Sequence, residues 1–173
     1  MRLTGRMEFR DATPDDVDAV VALVESAYRG DASRAGWTTE ADLLDGQRTD
    51  RDEVTEALPH LVLAFDGDAL VGCCALVPKG DHGYFGMFAV RPGLQGGGVG
   101  SALLAEAERR AQESGLAWVE MTVLSVRAEL LEFYKRRGFV DTGETRPFPY
   151  GDDRFGQPRR DDLVFSVLVK HLA

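Results

Sequence analysis

A chain of 173 residues with 44% hydrophobic content is about one domain long, so one core and one active site are expected over residues 1–173. No apolar run approaches the roughly 20 residues that cross a bilayer, and MRLTGRMEFR is too short and polar for a signal peptide, so the expectation is a soluble, cytoplasmic protein with no membrane partner. A formal net charge of −9 opposes attraction to a phosphate backbone and argues against nucleic acid as a partner.

In chain order, MEFRDA at 7–12 alternates like a strand, and Thr13-Pro14 followed by Asp16 is a helix start with a cap, a first-position proline and a first-turn acid. Val17, Val20, Val21, Val24 and Tyr28 then form one apolar stripe of a helix ending near Arg29-Gly30. Residues 31–59 are polar, with Trp37, a capping signal at Thr38-Thr39-Glu40 and a short apolar set (Leu43, Leu44, Val54, Leu58), which predicts one or two short helices. HLVLAF and ALVGCCALVPK read as strands joined by the turn Asp66-Gly67-Asp68, and HGYFGMFAVR at 82–91 as another. A glycine-rich stretch opens a helix to about Glu113, with Val99, Leu103, Ala107 and Ala111 on one face and Glu106, Arg109, Arg110 and Glu113 on the other. Ser114-Gly115 ends it. AWVEMTVL at 117–124 is strand-like, and 127–137 is a helix with Leu130, Leu131, Phe133 and Tyr134 inward and Gly138 as its cap. Two last strands, near 139–146 and 162–169, are joined by the long polar segment RPFPYGDDRFGQPRR. This order predicts an α+β fold, a mixed sheet with helices on its faces.

His60, His82 and His171 have no metal-ligand spacing, and Cys73 and Cys74, adjacent in a strand, point to opposite faces. Neither a metal site nor a disulfide is expected, and two small buried residues are the favoured reading of the cysteines.

The stretch VRPGLQGGGVGSALL at 90–104 carries the chemistry. A loop entering a helix presents unpaired N–H groups and the positive end of the helix dipole, and glycines at 96, 97, 98 and 100 let a phosphate approach them. The plainer alternative is that these glycines serve a sharp turn or close helix packing. No GK[ST] follows, which disfavours a P-loop, and GxGxxG does not fit, which disfavours a Rossmann site.

FAVRPGLQGGGVGSALL resembles the acetyl-CoA signature of the GCN5-related N-acetyltransferases (GNAT), with Gln95, Gly98 and Gly100 in the signature positions, and LLEFYKRRGF at 130–139 is similar to the family's second mark. The order of elements matches from about residue 7 to 169. The resemblance implies a mostly antiparallel, splayed sheet flanked by helices. It also implies acetyl-CoA held by Gln95, Gly96, Gly97, Gly98, Val99, Gly100 and Ser101, with its pantetheine arm along Phe88, Ala89 and Val90. The Phe88 N–H would polarise the thioester carbonyl and Tyr134 would protonate the leaving thiolate, although a core aromatic at 134 is the alternative. Where many relatives carry an asparagine this chain has Arg127, which would meet the cofactor or an acidic substrate. Where some carry a carboxylate base it has Tyr84, so no base is identified.

Acceptor selection in such a fold falls to Tyr28, Trp37, Glu40, Tyr84, Tyr150 and Phe155. The long connection at 146–160 is expected to act as a lid that favours a small-molecule amine, with Asp152 and Asp153 attracting its ammonium and Arg127 or Arg154 pairing with a carboxylate. The expected activity is acetyl transfer to a primary amine by direct attack. A catalytically idle acyl-CoA-binding sensor or interaction module is the alternative, and monomer or homodimer is left open.

Overall fold

Strand alternation sorts the apolar side chains of this chain onto two faces of one sheet. The computed structural model describes residues 3, 6–29, 43–45, 47–94 and 97–172. Strands β1 (Met7–Asp11), β3 (Leu61–Asp66), β4 (Ala69–Lys79), β5 (His82–Val90), β6 (Trp118–Leu124), β7 (Val140–Pro147) and β9 (Val164–His171) form a seven-stranded sheet in the order β1-β3-β4-β5-β6-β9-β7. Every neighbour pair is antiparallel except β5 with β6. The helices are α1 (Val17–Tyr28), α2 (Arg51–Ala57), α3 (Val99–Glu113) and α4 (Ala128–Arg136). The splayed, mostly antiparallel sheet is the α+β arrangement expected from the order of elements and from the family resemblance.

Parity decides which helix each strand residue meets. Leu61, Leu63, Cys73, Ala75 and Ala89 pack with Val20, Leu23, Val24 and Ala27 of α1 and Val54 of α2. Val62, Ala64, Cys74, Phe85 and Val90 pack with Val99, Leu103, Ala107 and Ala111 of α3 and Phe133 of α4 on the other face. The adjacent cysteines therefore enter opposite cores, both as buried free thiols. Each fully buried Val or Leu contributes about 1.5–3 kcal/mol, so these two layers are the main stabilising term.

Local chemistry sets the ends. The Thr13 N–H donates to Asp16 Oδ2 at 2.7 Å and Arg10 grips the same carboxylate at 2.8 and 2.9 Å, fixing a 3-10 turn at Pro14–Asp16 that leads into α1. Asp50 caps α2 by accepting from Glu53 N–H at 2.8 Å. Gly115 (φ 76°) and Gly138 (φ 94°) close α3 and α4 in left-handed conformations. On α3 the expected ion pairs form, Glu106 with Arg109 and Arg110, and Arg109 with Glu113.

Two features go beyond the pattern. Two-residue strands β2 (Leu44–Asp45) and β8 (Gln157–Pro158) pair as a second small sheet, extended by Arg159 N–H donating to Leu43 O at 2.8 Å. Beneath it Leu44, Leu124, Phe148 and Leu163 form a third apolar cluster. Of the helices expected in 31–59, α2 lies among the described residues, whereas residues 30–42 lie outside them. Among the described residues no helix is long and apolar enough to cross a membrane.

Burial pushes the Cys73 thiol up to about 12 and raises the Cys74 thiol and the Tyr134 hydroxyl as well. The folded state holds these groups neutral while the unfolded chain ionises its thiols near pH 9, so their contribution to stability is complete below about pH 8.5 and is lost as pH rises. Melting temperature should stay level from about pH 7 to 8.5 and fall above about pH 9. The double substitution Cys73→Ala, Cys74→Ala should make that alkaline slope shallower, whatever it does to the absolute value. An unchanged slope would remove the thiols from the explanation.

Candidate active site

The site begins where two strands stop pairing. β5 and β6 run parallel only from His82–Tyr84 to Trp118–Glu120, and the fork is bridged by a 2.7 Å hydrogen bond between Tyr84 Oη and Thr122 Oγ1. Beyond it β5 and β6 share no further ladder pair among the described residues. The opposite edge, against β4, carries a bulge. Gly86 faces Ala75 and Ala89 faces Cys73, so Met87 and Phe88 share the single position of Cys74. Met87 takes a positive φ of 45°, a strained backbone that costs about 1–3 kcal/mol and is held by its surroundings, including a 3.3 Å contact from Cys73 Sγ to Met87 O. The Tyr28 hydroxyl donates to Phe88 O, which ties the end of α1 to the bulge.

The fork opens into a cleft of about 960 Å³, the size of a small-molecule or cofactor site. Tyr134 reaches it from α4, with its ring edge-on to Phe133 and Phe139 and tilted against Phe88. Its side chain is 4% exposed, and its hydroxyl has no hydrogen-bond partner among the described residues. Burial and then Tyr28 raise its pKa well above the ordinary value, while Arg127 opposes the rise. A tyrosine so placed stays protonated at neutral pH with its O–H available to a ligand.

The second half of the site is the start of α3. Gly98 is its N-cap at φ 91°, and a Cβ built there would meet nothing within 4 Å. That open, left-handed position at the first turn of α3 leaves room for an anion beside backbone N–H groups. Gly100 has another purpose. A Cβ there would come within 3.2 Å of Phe88 Cζ and 3.6 Å of Val90 Cγ2, so at this position the packing alternative holds, and Val99 is fully buried in the core. Ser101 Oγ accepts from the Arg137 guanidinium at 2.9 and 2.6 Å. Gln95 and Gly96 lie outside the described residues. Ala89 and Val90 are buried, leaving their backbone as what a ligand would use.

The acceptor candidates separate. Tyr28, Tyr84 and Phe155 line the cleft, as does Arg127, and the guanidinium groups of Arg48 and Arg127 lie 5.4 and 5.9 Å from the Tyr28 ring centre. Tyr150 is not among the lining residues. Its hydroxyl accepts from Leu163 N–H at 2.8 Å and donates to Arg160 O at 3.0 Å, fastening the two ends of its own connection. Asp152 and Arg154, expected to engage opposite ends of an acceptor, pair with each other at 2.6 Å. Trp37 and Glu40 lie outside the described residues. The connection after β7 is thus pinned to residues 43–45 through β8 and roofs one end of the cleft.

Sequence reading missed Glu53 of α2, a half-buried carboxylate in the cleft wall. It forms no ion pair among the described residues, and burial raises its pKa against the opposing pull of Arg48. Asp50 three residues earlier is the N-cap of α2, a local signal for the helix, but only the packing of α2 on α1 sets Glu53 in the cleft wall.

Residues 19–139 match the family model described as the acetyltransferase (GNAT) family. The chain is 34% identical over 133 residues to an amino-acid acetyltransferase of Ralstonia nicotianae, covering 76% of this chain and 26% of that protein. It is 40% identical over 102 residues to a mycothiol acetyltransferase of Kineococcus radiotolerans, covering 57% and 31%. The chain therefore spans about a third or less of the length of these relatives. The crystal structure of Ard1 from Thermoplasma volcanium superimposes with a TM-score of 0.72 at 17% identity, covering 96% of this chain and 98% of that one, a likeness of fold.

Gly98→Glu tests the cradle. The left-handed φ costs an L-residue about 1–2 kcal/mol, so the fold should survive with a melting temperature a few degrees lower. Acetyl-CoA binding by calorimetry should collapse, because the new carboxylate occupies the anion's place. Unchanged affinity would remove the anion site from the start of α3.

Proposed function

The chain belongs to the acetyltransferase (GNAT) family, and on that premise we propose that it transfers the acetyl group of acetyl-CoA to the primary amine of a small molecule, with both substrates bound at once. The observation that carries this reading is Tyr134, an unpartnered, protonated phenol at the fork between two strands, where a leaving thiolate would need a proton.

Acetyl-CoA supplies an acyl group already activated as a thioester. The chain supplies position and charge. The start of α3, Gly97 to Ser101 with Gln95 and Gly96 before it, holds the phosphates. The β6-facing side of β5 at 87–90 holds the pantetheine as an added strand would be held, and the Phe88 N–H polarises the acyl carbonyl. Tyr134 delivers the proton to the thiolate, and Arg127 stabilises negative charge beside it. Glu53 takes the proton from the acceptor ammonium, its raised pKa bringing its basicity nearer the working pH. Juxtaposition of amine and thioester supplies most of the acceleration.

A small acceptor is favoured by the β2–β8 pairing, which ties residues 43–45 to the connection after β7 at one end of the cleft. The relatives named as amino-acid and mycothiol acetyltransferases support the same choice. An acceptor carboxylate would find Arg48 and Arg127 beside Tyr28. An idle acyl-CoA-binding module is the competing reading, and thiol release with a library of small amines decides between them, since an idle module releases none.

Tyr134→Phe keeps the packing and removes the donor, so kcat should fall about 10²-fold or more with acetyl-CoA affinity nearly unchanged. Wild-type turnover across about pH 6–9 would make Tyr134 a core aromatic only. Glu53→Gln should lower kcat/KM for the amine and remove the acidic limb of its pH profile. The charged groups acting on that limb are Arg48, Asp50, Glu25 and Arg154. A profile identical in shape to wild type would exclude Glu53 as the base. Phe155→Ala should raise the KM of the amine several-fold at constant acetyl-CoA affinity, and an equal KM would take the roof out of acceptor selection.

A further inference from the structure

Arg137, just past the end of α4, is oriented on every side by neutral groups. Its Nε and Nη2 donate to Ser101 Oγ at 2.9 and 2.6 Å, its Nη1 donates to Phe133 O at 2.9 Å, and the guanidinium carbon lies 3.5 Å from the Phe133 ring centre. Among the described residues no carboxylate pairs with it. The charged side chains around it are Arg136, which with burial lowers its pKa, and Lys170, whose Nζ donates to Arg137 O at 2.8 Å and is itself paired with Glu108. Ser101 stands in the first turn of α3, where unpaired N–H groups and the helix dipole are also positive. The fold has thus fixed a half-buried cation against the positive end of a helix with no anion of its own between them. Such an arrangement is unfavourable in the free protein and becomes favourable when an anion enters.

We infer that Arg137, held by Ser101, binds a phosphoryl group of the cofactor, at its diphosphate. The hydrogen-bond arithmetic agrees. Ser101 Oγ accepts two guanidinium N–H groups, which turns its own proton outward as a donor. The two remaining Arg137 N–H groups, one on Nη1 and one on Nη2, the adjacent Ser101 O–H and the N–H groups at Gly98 to Ser101 are then available to one anion. This rests on the reading that the phosphates lie at the start of α3, and it adds a residue from a different element, outside the glycine loop. Arg137 thereby couples the end of α4, the helix that carries Tyr134, to cofactor binding.

The test uses the full chain with Arg137→Met, which keeps the packing on Phe133, and Arg137→Lys, measured by titration calorimetry with CoA and with 3′-dephospho-CoA and by melting with and without CoA. Arg137→Met should melt at the wild-type temperature or above when free, bind CoA at least tenfold more weakly, and show a smaller stabilisation by CoA. The loss should be the same factor for 3′-dephospho-CoA, affinity should depend less steeply on salt than in wild type, and Arg137→Lys should recover part of it. Wild-type affinity in Arg137→Met, or a lower melting temperature with affinity preserved, would make Arg137 a structural cap of α4 and overturn the inference. A loss confined to CoA and absent with 3′-dephospho-CoA would overturn the diphosphate assignment. Gly98→Glu measured alongside separates the two levels. If it abolishes binding while Arg137→Met does nothing, only this inference fails; if neither matters, the phosphate site itself is misplaced.

Discussion

The short parallel pairing of β5 with β6 is the constraint on which the rest of the site depends. Three residues of each strand pair, Tyr84 and Thr122 bridge the last rung, and the bulge at Met87–Phe88 on the other edge bends β5 away. A fully paired sheet would leave no gap between β5 and β6 after Tyr84 and no route between its faces. The separation is maintained from both sides. Tyr28 on α1 holds the bulge carbonyl, and Phe88 packs into the place where Gly100 lacks a side chain. That second contact sets the end of β5 against the first turn of α3, so the strand edge and the anion cradle keep one fixed spacing.

The charge distribution follows a related logic. The chain carries a net −9, yet Arg29, Arg48, Lys79, Arg127 and Arg146 line the cleft against Glu53 and Glu56. An acidic exterior around a cationic concavity concentrates field lines inward and favours anionic or zwitterionic ligands over polyanions that must lie along a surface. Arg146 is balanced by Glu120, which also meets His82 at 3.1 Å beneath the fork. Charge at that end is spent on joining β5, β6 and β7.

Much of this was legible in the residues because periodicity is local. The stripe from Val17 to Tyr28, the turn at Asp66–Asp68 and the opposite facing of Cys73 and Cys74 each follow from spacing within one element, and each is found as expected. The family marks located the start of α3 and Tyr134 in the same way. What spacing does not encode is contact between elements. Strands of two residues at 44–45 and 157–158 are too short to show a period. Gly100 looks like its neighbours in sequence, and only Phe88 across the fork reveals it as a packing glycine. Tyr150 has the composition of a binding residue, but Leu163 and Arg160 use its hydroxyl. Glu53 lies on α2 and Arg137 just past α4, where a charge is ordinarily solvated, and their surroundings come from what α1 and α3 place beside them.

The β2–β8 pairing has a consequence for how such a protein changes its preference. Residues 43–45 belong to the segment after α1 and residues 157–158 to the connection after β7, which are more than a hundred residues apart in sequence yet share backbone hydrogen bonds over one floor of Leu44, Leu124, Phe148 and Leu163. Neither segment can be lengthened or exchanged without leaving edge groups of the other unsatisfied. Recombination that swaps one loop between relatives would produce mismatched halves, whereas a transplant of both with their shared floor would carry a selectivity over intact. Divergence along this lineage is therefore expected as correlated substitution in two distant stretches.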